Sequence, residues 1–414
     1  MPKTRQASPL AQLIDAADRD VLKELLCELS ATRPEVRRTC IEFLQKRVAV
    51  QVEVRSNAQA EAMRAIWDQL EPDLGEMDDY GGDEMDMTVS CLLGDLAEKL
   101  EKAKIPREDR RALLDDVVPY IQSGNSGLED DLYDVAYAAC KDDEDWRDLA
   151  ERLEAIGQDW PTDHARRIYR RIGDHARYLE LRKSKLETGA DYCDLAMFYW
   201  ETGDKEKALA TGRRGLKADK GDMSALREFM SERAKESGNR EAYIELQFAE
   251  ATSRLTLKSY EGFRKLCKPA EWRYYELRML KALPRTWDED RIAIHLHRKE
   301  SDQALAVLTK RSFQPGNAYG GNKALQFAKQ LEGKYPREIL AYYQSGLGRL
   351  DVSETRKVYG QKAEVAKLVR HMWVDVLKDP KAWEAYARKI KAENARRSAF
   401  QEEFAKKVPG WREL

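Results

Sequence analysis

The chain predicts an all-α fold, a superhelix of antiparallel helix pairs of the α-α solenoid kind. Three observations predict it. A short phrase recurs with changes, reading Gly173-Asp-His-Ala-Arg-Tyr178, then Gly203-Asp-Lys-Glu-Lys-Ala208, then Gly238-Asn-Arg-Glu-Ala-Tyr243. Steps of about 30 to 35 residues are those of stacked helix–turn–helix units, which cannot bury an apolar face alone and so pack on their neighbours. Apolar residues otherwise recur at helical spacing, and the 13 prolines and 23 glycines sit mostly between the periodic segments. Finally, 35% of residues are charged, well above the usual quarter, as thin amphipathic helices with broad solvated faces require.

The N-terminal region, residues 1–163, predicts a run of acidic helices. Residues 8–52 form a helical cap. Ser8-Pro9 gives the favoured N-cap and N1 order, with Leu10, Leu13 and Ile14 following at helical spacing. Val21, Leu22, Leu25, Leu26 and Leu29 make the next stripe, and Pro34 opens a helix expected to turn Val36, Cys40, Phe43 and Leu44 inward. A helix over 58–70 ends around Trp67 and Leu70, and residues 71–86 are expected to form an acidic loop. Its spacing does not match a calcium loop with ligands at alternate positions. Helices follow over 87–103, 107–122 and 128–141. Asp142-Asp143-Glu144-Asp145 then reads as a helix cap, since acidic groups favour a helix N-terminus.

Repeats are plainest over 164–312. Tyr192, Leu195, Ala196, Tyr199, Gly203 and Ala208 fall at the intervals of one tetratricopeptide unit. Gly212 and Gly215 then stand where a bulky residue and an alanine are usual, and a degenerate copy runs from Leu296 to Leu308. Residues 313–322 are a loop. A C-terminal helical region, 323–414, has helices expected at 323–333, 336–347, 352–377, 380–394 and 395–406.

Net charge is −2 overall but unevenly placed. Residues 1–165 hold 20 Lys+Arg against 38 Asp+Glu, and residues 166–414 hold 52 against 36. Such asymmetry marks either an interaction surface or mutual attraction of the two halves. No apolar run approaches a membrane span and the basic start lacks a signal-peptide core, so a cytoplasmic protein is expected. The six cysteines form no Cys-x-x-Cys pair and read as reduced core residues. His295 and His297 lie two apart, on different helix faces, unlike the i,i+4 pair that a helical metal site uses. No catalytic or metal constellation is found, and no cofactor is expected.

Two features could carry recognition. Arg166, Arg167, Arg170 and Arg171 make a basic ridge in which spacing of four stacks Arg166 over Arg170 and Arg167 over Arg171. Arginine suits carboxylate and phosphate partners, and pairing with Asp148, Glu151 or Glu154 is the alternative. Trp272, Tyr274 and Tyr275 form an aromatic cluster that serves either packing between repeats or binding.

The chain also resembles the helical region that follows the zinc finger in bacterial SWIM zinc-finger proteins. The residues that carry this are Asp20 to Leu29 with Pro34 to Arg37, Tyr178 to Arg182, Tyr359 with Ala363 and Ala366, Trp383 to Ala387, and Asn394 to Arg397. The group's Cys-x-Cys and Cys-x-His motif is missing, so the resemblance implies no metal or zinc-finger DNA binding. It implies a helical array that binds proteins. The expected function is a non-catalytic scaffold within a larger complex, holding a protein or peptide, with acidic segments suited to the ridge. Two alternatives stay open: a nucleic-acid-associated protein using the basic half, and an enzyme with a site between the halves.

Overall fold

The computed structural model describes residues 9–49, 51–80, 86–124, 127–314 and 323–414. Among these residues the fold is all-α, with 23 α-helices, one 3-10 turn (Leu283–Arg285), one π turn (Met372–Val376) and no strand. The chain divides into two compact units, Met1–Leu186 and Glu187–Leu414. The first has 28 Lys+Arg against 40 Asp+Glu, a net of −12, and the second 44 against 34, a net of +10.

The first unit contains α1 (Pro9–Ala16), α2 (Arg19–Thr32), α3 (Pro34–Gln45), α4 (Val52–Tyr80), α5 (Asp86–Lys102), α6 (Arg107–Ser123), α7 (Glu129–Ala139), α8 (Asp143–Ile156), α9 (Asp159–Arg171) and α10 (His175–Ser184). Helices adjacent in sequence pack in space: α2 on α3, α3 on α4, α4 on α5, α6 on α7, α8 on α9 and α9 on α10. Arginines tie helices that are neighbours or next neighbours in sequence, α3 to α4, α4 to α6 and α8 to α6. Arg37 donates to Asp68, Arg64 to Asp116, and Arg152 to Asp115. The deepest of these ties holds α6 to α8. Buried Arg110 donates to buried Asp145, which also accepts from the Lys141 N–H at 3.0 Å and pairs with Arg107 at 2.7 Å. The acidic run ahead of Trp146 does cap α8, because Asp142 accepts from the Glu144 and Asp145 N–H groups at 3.0 and 2.9 Å.

Two expectations for this unit are overturned. Helix α4 does not stop near Leu70 but continues through Pro72 to Tyr80, so residues 71–80 are not a loop. Leu70, Leu74 and Met77 keep helical spacing and are all buried. Burying three large side chains offsets the roughly 3 kcal/mol that an interior proline costs. Residues 81–85 of the acidic stretch lie outside the described residues. Helix α3 does not turn Phe43 and Leu44 inward: both are half exposed, and neither α2 nor α3 has a buried residue.

The second unit contains α11 (Gly189–Glu201), α12 (Lys205–Ala218), α13 (Ser224–Glu236), α14 (Arg240–Ser253), α15 (Leu257–Leu266), α16 (Pro269–Ala282), α17 (Asp288–His297) and α18 (Ser301–Leu308), followed by α19 (Lys323–Leu331), α20 (Pro336–Ser345), α21 (Arg356–His371), α22 (Pro380–Glu393) and α23 (Ser398–Lys407). Pairing again runs between neighbours, α11 with α12, α13 with α14 and α17 with α18. Residues 315–322 of the expected loop lie outside the described residues, while Phe313 at its start is buried against Tyr342 and Tyr343. The C-terminal helices close over a stacked pair, Phe400 and Phe404, with ring centroids 4.0 Å apart, and Trp411 packs on both.

The recurring phrase is one local device. Gly173, Gly203 and Gly238 all have positive φ, at 76°, 89° and 73°, a left-handed conformation that glycine adopts without steric cost. The next residue, Asp174, Asp204 or Asn239, then caps the following helix by accepting from the N–H three positions on. The core position five after the glycine is filled by buried Tyr178, buried Ala208 and half-buried Tyr243. Lys299 makes the same kind of turn without glycine, at φ 62°, with the Glu300 N–H bonding the His295 carbonyl at 2.8 Å. The unusual Gly215 is a close-approach site: a Cβ there would fall 2.6 Å from Leu226 Cδ2 and closer still to Tyr192.

Candidate protein-binding surfaces

Helix α9 places the predicted basic ridge. Pro161, His164, Ala165, Ile168 and Tyr169 turn inward and are buried. That orientation splits the four arginines. Arg166 is only 5% exposed and pairs with Asp163. Arg170 is half buried, its guanidinium 5.7 Å from the Tyr178 ring centroid. Arg167 and Arg171 are exposed, four apart on one face. Arg166 therefore does not stack over Arg170 as a surface pair, because it belongs to the buried side of the helix. Of the three acidic residues weighed as ridge partners, Glu154 bonds Arg177 and the Tyr169 hydroxyl, and Asp148 bonds Arg152.

The exposed pair lies on an aromatic bed that the sequence did not bring together. Trp160, His164, Arg167 and Arg171 follow one another at steps of four, three and four, a single helical stripe. The Arg167 guanidinium lies over Trp160 at 5.9 Å, and that of Arg171 over Trp146 of α8 at 4.0 Å. Cation–π contacts of this kind contribute about 0.5–1 kcal/mol each at exposed sites and hold the planar group in place. Beneath them, His164 stacks on Tyr133 with centroids 3.7 Å apart, and its Nδ1 is bonded to the Tyr137 hydroxyl. Burial pushes the His164 pKa down to about 4, Arg167 adds to the shift, and Asp163 and Asp130 oppose it. The imidazole is therefore neutral at neutral pH. Its buried Nε2 has no hydrogen-bond partner.

The predicted aromatic cluster divides as well. Tyr275 is buried and donates to Glu245 at 2.9 Å, and Trp272 packs edge-on against Tyr260 at 5.0 Å. Both belong to the core that α14, α15 and α16 share. Tyr274 alone is exposed, at 59%, with Arg278 5.4 Å from its ring.

A larger surface feature sits at the start of the chain. Among the described residues 18 large hydrophobic side chains are exposed, and 11 of them fall between Leu10 and Val54. Leu25 and Leu26 of α2 and Phe43 and Leu44 of α3 are at its centre in sequence, on two helices that pack side by side. Around them charge is balanced: residues 9–54 hold 7 Lys+Arg and 8 Asp+Glu. The stripes were legible in the sequence, but periodicity alone does not tell which apolar face finds a neighbour.

Titratable groups elsewhere are held in structural pairs. His295 bonds Glu300 at 2.8 Å and His297 pairs with Glu261 at 3.2 Å. Among the described residues no three His, Cys, Asp or Glu side chains converge to hold a metal ion. All six cysteines are free thiols, and only Cys140 and Cys193 are buried, whereas Cys27 and Cys91 are exposed rather than in the core. Burial pushes the Cys140 thiol up to about 12 and that of Cys193 to about 11, far from the thiolate a nucleophile needs. No described helix is long and apolar enough to cross a membrane. No family model matches the chain, and no curated protein matches it either.

Proposed function

We propose that this chain is a non-catalytic scaffold, tetratricopeptide-like in its repeats, that docks a protein partner on the apolar face of α1, α2 and α3. The concentration of exposed large hydrophobic side chains between Leu10 and Val54 carries this reading. Large hydrophobic side chains left exposed in such number mark interaction sites where they form a patch, as the side-by-side packing of α2 and α3 allows here. The partner it suits is an amphipathic helix with a mixed-charge rim, laid along the two side-by-side helices. A polyanion or an anionic lipid surface would call for a net positive rim, and the rim here is near neutral. The resemblance to the SWIM-associated helical region points to the same class of function.

The test uses Leu25→Glu with Phe43→Glu in the full chain. Affinity capture from the native cell with cross-linking should recover a stoichiometric protein cross-linked to α2 or α3, and the double variant should lose it. Retention by the variant, or cross-links confined to other helices, would sink the proposal.

A second reading, nucleic-acid association through the basic unit, is favoured by one observation. Trp287 is 79% exposed in a cleft lined by Arg254 and Arg285, and also by Asp288, Glu289 and Asp290, of which Asp288 and Glu289 pair with Arg311 and Lys323; the aromatic face beside Arg254 and Arg285 suits stacking a base next to a phosphate. It predicts binding to single-stranded nucleic acid at about 50 mM salt that falls steeply by about 200 mM, because phosphate contacts release counterions. No binding at low salt, or no salt dependence, excludes it.

A further inference from the structure

We propose that Arg167 and Arg171 form a recognition site for a single phosphomonoester group on a peptide, a phosphoserine or phosphothreonine side chain. This site is separate from the apolar face of α1–α3 and does not rest on it. Both arginines are exposed, and neither makes an ion pair with any carboxylate among the described residues. Stacked arginines elsewhere are of both kinds: Arg233 over Trp200 is paired with Glu236 and Arg278 over Phe248 with Glu245, whereas Arg214 over Tyr192 and Arg264 over Trp272 have no carboxylate partner among the described residues; Arg167 and Arg171 differ in being two such groups four apart on one helix face. At Arg167 and Arg171 the aromatic face fixes each guanidinium while its hydrogen-bonding edge is left for a ligand.

Further facts define the ligand. Side chains four apart on a helix have Cβ atoms about 5–6 Å apart, so two guanidinium forks can reach the oxygens of one phosphoryl group. That group carries about −1.5 to −2 charge at neutral pH, which two arginines match. The unit that bears the site has a net charge of −12, so a long polyanion is repelled where one local dianion is accepted. Trp160, 49% exposed beside Arg167, offers an apolar surface to the residue next to the phosphorylated one. Beside it, the Nε2 of His164 is a buried polar atom with no partner, and the Nδ1 bond to Tyr137 leaves Nε2 the proton-bearing nitrogen if the phenol donates.

The experiment is fluorescence anisotropy of the full chain with a labelled degenerate peptide library holding one fixed phosphoserine, and with its unphosphorylated twin. The phosphorylated library is expected to bind at least about tenfold more tightly. Arg167→Gln with Arg171→Gln should abolish the difference, and Arg167→Lys with Arg171→Lys should reduce it, since lysine keeps charge but not the planar fork. Circular dichroism and a melting curve establish that each variant is folded. Equal binding of the two libraries overturns the proposal, as does a preference that survives the glutamine variant. Competition by inorganic phosphate as strong as by the peptide would reduce the site to a free-anion site. Tighter binding of duplex DNA through the same arginines would replace the peptide with nucleic acid.

Discussion

Lys299 holds a left-handed backbone conformation where three sister turns place glycine. A side chain costs about 1–2 kcal/mol there, and glycine would give back part of the gain as unfolded-state entropy. Lys299 is exposed and has no ion-pair partner among the described residues to lose. Lys299→Gly should therefore raise the stability of the second unit by about 0.5–1 kcal/mol, read as a higher urea midpoint; an unchanged or lower midpoint would show that the turn is not strained. His164 gives a pH prediction in the other unit. Its folded pKa of about 4 is below the ordinary unfolded value near 6.5. The unfolded chain therefore binds more protons between those values, and the stability His164 contributes is full above about 6.5 and is lost as pH falls toward 4. The groups facing it are Tyr133, Tyr137 and Asp130 of α7 and Arg167 and Asp163 of its own helix. The melting temperature of the first unit should drop between pH 7 and pH 5 in the native chain and by less in His164→Gln, and equal drops would contradict the assignment.

At the scale of elements, what the sequence encodes locally was legible. The turn at Gly203 could be read because glycine supplies the positive φ and Asp204 the cap, both within two residues. The equivalent turn at Lys299 was hidden because its residue gives no sign of that conformation. Helix α4 was cut short at Pro72 because a proline is a strong local signal, while the stripe of Leu70, Leu74 and Met77 that overrides it is buried, and α4 packs on α3, α5 and α6, contacts that a local reading does not show. The candidate site behaves alike. The Arg167–Arg171 spacing was visible, but Trp146 reaches the site from another helix, and the inward turn of Arg166 depends on what α9 packs against. The apolar faces of α2 and α3 were likewise visible as stripes, and their exposure was not. Because those side chains lie outside the core, Leu25→Glu with Phe43→Glu should leave the unfolding midpoint of the free chain within about 0.5 kcal/mol of the original. Large destabilisation would mean that the face is part of the fold rather than a surface kept for a partner.

At the scale of the whole molecule, two compact units carry opposite net charge, and each presents its own kind of surface. The acidic unit has the apolar face of α1–α3 and the arginine stripe on α9. Of the three aromatic residues singled out in the sequence, the basic unit buries Tyr275, packs a partly buried Trp272 against the same core and exposes Tyr274; Trp287 is exposed as well. The recurring turns, one in the acidic unit and two in the basic one, serve packing, since the core position five after each glycine is filled by Tyr178, Ala208 or Tyr243 and not offered to a ligand. The central claim is that a protein partner docks on α1–α3. Amide hydrogen exchange on the free chain and on the complex isolated from the native cell tests it most directly. The account predicts new protection concentrated between Leu10 and Val54; a stoichiometric complex whose protection falls wholly within Glu187–Leu414 would contradict it.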